Sequence, residues 1–266
     1  MTLIAIKLLL APCFVMGASL TARRHGPRVG GLVGALPVVA GPILLVYALA
    51  HGRAFAAHAA AGTLLGLISL TAFVVVYARL AGRVAWPMGL LSGWLAFALA
   101  TLLFSSLRIP LGLALALACA AFAVGVALLP RASAEPTDKG APPAWDLPLR
   151  GACALALVLA LTAIAGWLGP QLSGLLAPFP IIASVLATFT HTQRGVDETL
   201  RLLRGLVTGF GAFALFCFTL ALALPNLSVV VSFALASAVA LGAQGIALRQ
   251  ALRREPALAE TGSPTA

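Results

Sequence analysis

Long apolar runs alternate along the chain with short polar or basic breaks, and the runs are about 18 to 22 residues long, the length a helix needs to cross a hydrocarbon layer of roughly 30 Å. Nine such runs predict nine helices, at 2–20, 29–50, 59–80, 86–104, 109–129, 150–167, 171–192, 205–224 and 228–247. A membrane barrel would need segments of about ten residues with alternating polarity, and none is present. The pattern therefore predicts an all-α, polytopic transmembrane helix bundle. Its first run, followed by Ala18 and Ala22, has the look of a secretory signal. Lys7 inside it, the missing basic lead and a counterpart in the second half make it a retained span.

Composition places this pattern in lipid: 61% of residues are hydrophobic and 9% charged, with mean hydropathy +1.06, against about 25% charged in a soluble domain. The net charge of +10 would suit a nucleic-acid partner if it lay along one face. It lies between the apolar runs instead, so the expected partner is the lipid bilayer and not nucleic acid. With the N-terminus outside, the inner side receives Arg23, Arg24, Arg28, Arg79, Arg83, Arg131, Lys139, Arg150, Arg194, Arg201, Arg204, Arg249, Arg253 and Arg254, which is 14 of the 17 Lys and Arg. Only Lys7, Arg53 and Arg108 fall outside. The connections Trp167–Gln171 and Pro225–Leu227 carry no basic residue, as outer loops should. This alternation predicts a multi-pass membrane protein with its N-terminus outside and a cytoplasmic C-terminus.

One interruption is longer. Arg131 to Leu149, preceded by Pro130, contains Pro136, Pro142, Pro143 and Pro148 with Glu135, Asp138 and Asp146, the composition of a solvated, flexible linker. The tail after Arg254 reads as disordered.

An internal repeat organises the rest. Gly26-Pro27-Arg28-Val29-Gly30-Gly31-Leu32-Val33-Gly34-Ala35-Leu36-Pro37-Val38-Val39-Ala40 recurs 143 residues later as Gly169 to Ala183, with Gly, Pro, Gly, Leu, Pro and Ala in register. The same offset pairs Gly62 with Gly205, Gly66 with Gly209 and Phe73 with Phe216. Chance alignment competes with a true repeat in a chain this rich in Ala, Leu and Gly. Read as a repeat, the chain divides into 1–107 (four spans), 108–145 (a linker helix and the Pro-rich loop), 146–248 (four spans) and the tail 249–266. One added span between two four-span units turns the second upside down relative to the first, the construction of many secondary transporters.

Pro37 and Pro180 fall near the middle of their spans. Each removes a helical hydrogen bond and is expected to free a carbonyl one turn earlier, around Val33 and Leu176. Such a carbonyl must be satisfied internally or face a wet cavity. Pro178 makes the second interruption the stronger of the two. The functional reading is a substrate pathway at Gly34, Pro37, Gly174, Pro178 and Pro180, continuing to Thr190, His191 and Gln193 at the inner end of span seven. The competing reading is a pair of tolerated kinks with small residues for helix packing, His191 meeting headgroups rather than gating protons. Asp197 and Arg201 form an i,i+4 pair that supports the following helix.

Absences narrow the chemistry. All seven acids fall in loops or the tail, so no carboxylate relay crosses the membrane. The four cysteines, Cys13, Cys119, Cys153 and Cys217, have no paired spacing and read as small buried hydrophobes. No cofactor, metal site or catalytic constellation is expected, and the chain is not read as an enzyme.

The run Gly174-Leu175-Leu176-Ala177-Pro178-Phe179-Pro180, followed by His191, Arg194, Asp197 and Arg201, resembles the GlpM-like family of small four-span bacterial inner-membrane proteins. The resemblance covers about 80 residues of the second half. The first half keeps Gly31, Leu32 and Pro37 but has Gly34-Ala35-Leu36 where that family has Pro-Leu-Phe. The resemblance implies two inverted copies joined by a linker helix, and an association with exopolysaccharide production without a defined activity. The reading is a small transporter or permease taking an unidentified small-molecule substrate, with a non-transporting accessory of envelope or exopolysaccharide assembly as its alternative. Association into a homo-oligomer is compatible with either.

Overall fold

The computed structural model describes the backbone of residues 2–105, 107, 109–133, 143–175 and 179–260, and side chains outside 2–10, 161–175 and 253–260. Ten helices make up the described residues: α1 Thr2–His25, α2 Pro27–Gly34, α3 Ala40–Ala50, α4 Arg53–Leu80, α5 Trp86–Ser105, α6 Leu111–Leu128, α7 Asp146–Leu175, α8 Ile181–Arg194, α9 Val196–Ala223 and α10 Val229–Glu260. Among the described residues, five segments are long and apolar enough to cross a membrane: α4, α5, α6, α9 and Val229–Leu252 of α10. The chain is an all-helical bundle with the apolar spans of a multi-pass membrane protein.

α4 and α9 form the centre. α9 packs against α2, α4, α6, α8 and α10, while α4 packs against α3, α5 and α6. Their buried faces meet through Leu64, Leu67, Phe73, Leu203, Leu206 and Phe210. The outer helices turn leucines away from the bundle, as Leu91, Leu95 and Leu99 on α5 and Leu235 and Leu241 on α10 do. In water such a surface would collapse, whereas acyl chains solvate it as well as a protein core would. Cys13 and Cys119 also lie on this exposed surface and only Cys217 is buried. The expectation of four buried thiols therefore holds for Cys217 alone, Cys153 being half-buried and the other two exposed, because lipid accepts a thiol as readily as a core does.

α4 and α9 run antiparallel. Arg53, at the start of α4, donates from Nη1 to the Leu227 carbonyl beyond the end of α9 at 3.1 Å. At the opposite end, Tyr77 near the close of α4 meets His191, a few residues before α9 begins. The two helices are matched in length at 28 residues each, their starts Arg53 and Val196 standing 143 positions apart. The starts of α5 and α10, Trp86 and Val229, keep the same interval. Each central helix follows a glycine in the left-handed region, Gly52 at φ 88° and Gly195 at φ 89°. Only glycine takes that φ without a Cβ penalty, so these two residues set where both helices begin.

Close approach of α2 to α9 depends on two other glycines. A Cβ on Gly31 would stand 2.1 Å from the Leu202 carbonyl oxygen, and one on Gly205 would stand 2.1 Å from the Arg28 carbonyl oxygen. Small residues are what let helix backbones touch in lipid, where no hydrophobic force drives helices together.

Four expectations are corrected. Span two is two helices, α2 and α3, separated at Ala35–Val39. The connection Trp167–Gln171 is helical: α7 continues through Gly169-Pro170 to Leu175. A Gly-Pro pair ends helices where water can take over the backbone, and lipid offers no such replacement. The linker closes earlier than Leu149, since α7 starts at Asp146, whose side chain is fully buried. The helix expected to stop before a disordered tail runs on to Glu260, through a stretch rich in the strong helix formers Ala, Leu, Arg and Glu.

Candidate functional site

The two helix interruptions lie on the same cavity. At the first, the Ala35 N–H is shared between the Gly31 and Leu32 carbonyls at 3.1 and 3.2 Å, and the Leu36 N–H reaches the Val33 carbonyl at 3.1 Å. The Val33 carbonyl expected to be free is thus occupied, because the last turn of α2 tightens and brings the next donors back onto it. Pro37 has no N–H to offer; its carbonyl accepts from Gly41 at 2.8 Å as α3 begins. A further bond comes from outside: the buried Gln244 of α10 donates its side-chain Nε2 to the Leu32 carbonyl. At the second interruption Pro180 stands just before α8, and the Ser184 N–H bonds to its carbonyl at 2.8 Å. Leu176, the other carbonyl singled out, lies outside the described residues.

Between them is a cavity of about 60 Å³ whose wall includes Gly34, Leu36, Val39, Phe179, Pro180 and Ile182. Leu70 of α4 and Phe210 and Phe213 of α9 close it. That volume holds a few waters at roughly 15 Å³ each and falls short of the roughly 300 Å³ of a pocket for a drug-sized ligand. Its lining side chains are apolar. Polarity enters through the backbone: α3 and α8 both start at this cavity, and neither has a side chain capping its first N–H groups. Two half-helix N-termini therefore bring partial positive charge to one small space. Phe179 is held there by Trp94 and Phe97 of α5, at ring-centroid distances of 5.5 and 5.6 Å, while the Trp94 Nε1–H donates to Ser184 Oγ at 2.9 Å.

The sequence-predicted site residues divide into two groups. Gly34 and Pro180 are on the cavity wall, and Pro37 sits in the turn between the wall residues Leu36 and Val39. Gly174 falls in the last turn of α7, its surroundings outside the described side chains, and Pro178 lies outside the described residues altogether. Thr190, His191 and Gln193 occupy the far end of α8, away from the cavity, in a polar cluster with the ends of α1, α4 and α7.

The hub of that cluster is Asp146. It accepts hydrogen bonds from Arg23 Nη2 at 2.6 Å, from Arg150 Nε at 2.9 and 3.0 Å, and from Gln193 Nε2. Burial alone would push the carboxyl up, but the bonds and charges of Arg150, Arg23 and Gln193 outweigh it and hold the group below its ordinary value of 3.8. Arg150 also lies over the Phe189 ring, 5.1 Å from its centroid. His191 Nδ1 and the Tyr77 hydroxyl are hydrogen-bonded at 3.2 Å, tying α8 to α4. Beside this cluster, Arg79 donates to the Leu128 carbonyl, and Arg204 donates to the Leu129 carbonyl. Asp197 accepts from the Ser133 N–H, and Arg201 pairs with Glu198. The expected Asp197–Arg201 pair is thus replaced by an i,i+3 pair, leaving Asp197 to hold the linker.

Sequence reasoning missed Asp146, Arg23, Arg150, Trp94 and Ser184. A signal existed for one contact, since Asp146 and Arg150 are four apart at a helix start. The bond from Arg23 spans 123 positions and has no local signature. The chain matches no family model, no curated protein and no solved structure, so the GlpM-like resemblance rests on the run from Gly174 to Pro180 with His191, Arg194, Asp197 and Arg201.

Proposed function

We propose that the chain is an inverted-repeat carrier of the bacterial inner membrane, with nine crossings, its N-terminus outside and its C-terminus cytoplasmic, and its substrate pathway at the paired interruptions of α2–α3 and α8. One observation carries the reading: Leu36, Val39 and Ala40, and the residues 143 positions later, Phe179, Ile182 and Ala183, all line one cavity. The antiparallel, length-matched α4 and α9 support the inversion, and the duplicated unit would be of the GlpM-like kind. Interrupted helices whose N-termini meet near the bilayer midplane are how many carriers hold a charged group of their cargo. The two uncapped N-termini favour a small anionic or strongly hydrogen-bond-accepting solute with an apolar body, and the 60 Å³ cavity is the closed form around its site.

The apolar lining and small volume favour a second reading, a non-transporting accessory of envelope or exopolysaccharide assembly in which the same contacts only seal the bundle. Thiol labelling separates the two. In a variant with Cys13, Cys119 and Cys153 replaced and the buried Cys217 kept, a water-borne maleimide is expected to label Leu36→Cys and Ile182→Cys in membrane vesicles while leaving the fully buried Leu67→Cys untouched. Absence of labelling at both cavity positions removes the carrier reading in favour of the accessory one.

A further inference from the structure

A second pocket, of about 20 Å³, opens at the arginine-rich end between α1, α2, α7 and α8 and is lined by Ser19, Arg23, Pro27, Arg150, Thr190 and Arg194. Three guanidiniums and two hydroxyls converge on a space large enough for one water-sized atom, at roughly 15 Å³ apiece. Arg23 and Arg150 are both engaged by Asp146, and Arg194 makes no ion pair among the described residues. Three cations line the pocket and one carboxylate neutralises only part of their charge, so the excess is next to the pocket. Ser19 is 3% exposed and its Oγ has no hydrogen-bond partner, so a buried hydroxyl waits on the same space. Pro27 is the first residue of α2, whose N-terminus has no side-chain cap and adds further positive potential.

From this geometry we propose that the pocket binds a phosphate-type oxyanion, one oxygen lodged between the guanidiniums and the Ser19 and Thr190 hydroxyls, the remainder facing outward past the half-exposed Arg23 and Arg194. Guanidinium forks match tetrahedral oxyanions in two-bond geometry, which a halide cannot use. Arg150 cannot be the selective element, because it is committed to Asp146 and Phe189; Arg194 is the free fork. Binding here does not depend on whether the other cavity carries a cargo.

The chemistry has two sources, a free phosphate or the headgroup of an anionic lipid, and one experiment covers both. Thermal unfolding of the purified, delipidated full chain is followed with inorganic phosphate against chloride at equal ionic strength, and with phosphatidylglycerol against phosphatidylcholine in mixed micelles. A rise with phosphate identifies the free anion, and a rise with phosphatidylglycerol alone identifies the headgroup; either supports the site. Arg194→Gln, which breaks no ion pair, and Ser19→Ala are expected to unfold at the wild-type temperature without ligand. Each should need at least about tenfold more ligand for the same rise, the fold-change of about 1.4 kcal/mol. No rise over either control, or equal responses in wild type and in whichever of the two variants is folded, overturns the proposal.

Discussion

At the residue scale, Asp146 decides the most. A fully buried carboxylate is tolerable only because three donors surround it, and removing it leaves Arg150 buried and uncompensated. Asp146→Asn is therefore expected to destabilise the bundle by about 3–5 kcal/mol, the usual cost of breaking a buried pair from one side, read as a drop in thermal unfolding in detergent. The pH dependence follows from the depressed pKa. Because the folded group titrates below 3.8, its contribution is complete above that value and is lost only as pH falls through the lower, folded pKa. Wild type and Asp146→Asn should keep a constant gap in melting temperature from neutral pH to about 4 and converge only in stronger acid. Beyond its i,i+4 spacing to Arg150, this residue was not legible in the sequence. Its neighbours Pro142, Pro143 and Pro148 give the segment a solvated composition, and its partner Arg23 lies in another helix.

Two glycines at equivalent repeat positions make a sharper residue-scale test. Gly205→Ala places a methyl 2.1 Å from the Arg28 carbonyl oxygen, whereas a Cβ on Gly62 meets nothing within 4 Å. The first is expected to cost about 1–3 kcal/mol by overpacking. The second should be neutral or stabilising by up to about 1 kcal/mol through helix propensity. Equal effects, measured by unfolding in one detergent, would contradict the close α2–α9 contact. The contrast also shows what the 143-residue alignment cannot convey: Gly62 and Gly205 are paired by it, but only Gly205 packs against a neighbouring helix.

At the scale of elements, the interruptions are the instructive case. Pro37 and Pro180 marked both in the sequence, and both are real ends of helices. What the sequence did not convey was how the loose backbone is satisfied. The Leu32 carbonyl is bonded by Gln244 from a helix that begins almost two hundred positions later, a contact no local pattern announces. Gln244→Leu is expected to cost about 0.6 kcal/mol, typical of interhelical hydrogen bonds in membranes. It should also raise the labelling of Leu36→Cys, since it loosens the turn beside the cavity. The ends of α4 and α9 were legible, at Leu80 and Ala223 against an expected 80 and 224, but their starts were not: Arg53 and Val196 lie well before the expected 59 and 205, each helix beginning straight after a glycine at positive φ. The end of α7 was misread because Gly169-Pro170 carries a local stop signal, yet the helix runs through it to Leu175.

At the scale of the whole molecule, the pattern of apolar runs led to a helical membrane bundle and the charge alternation to its ends. The arginine-rich termini do gather: Arg23, Arg79, Arg150, Arg201 and Arg204 all bind groups at one end, and Arg53 binds the Leu227 carbonyl at the other. The two interruptions line one cavity, an arrangement that the proposed inversion of the two halves would account for and that no single segment reveals. The account therefore stands on the inversion. Arg83 and Asn226 are equivalent residues, 143 apart, exposed in the turns after α4 and α9. With Cys13, Cys119 and Cys153 replaced, Arg83→Cys and Asn226→Cys can each be labelled with an impermeant maleimide in right-side-out and inverted vesicles. The account predicts that Arg83→Cys reacts only from the cytoplasmic side and Asn226→Cys only from the outside; reaction of both from the same side would contradict it.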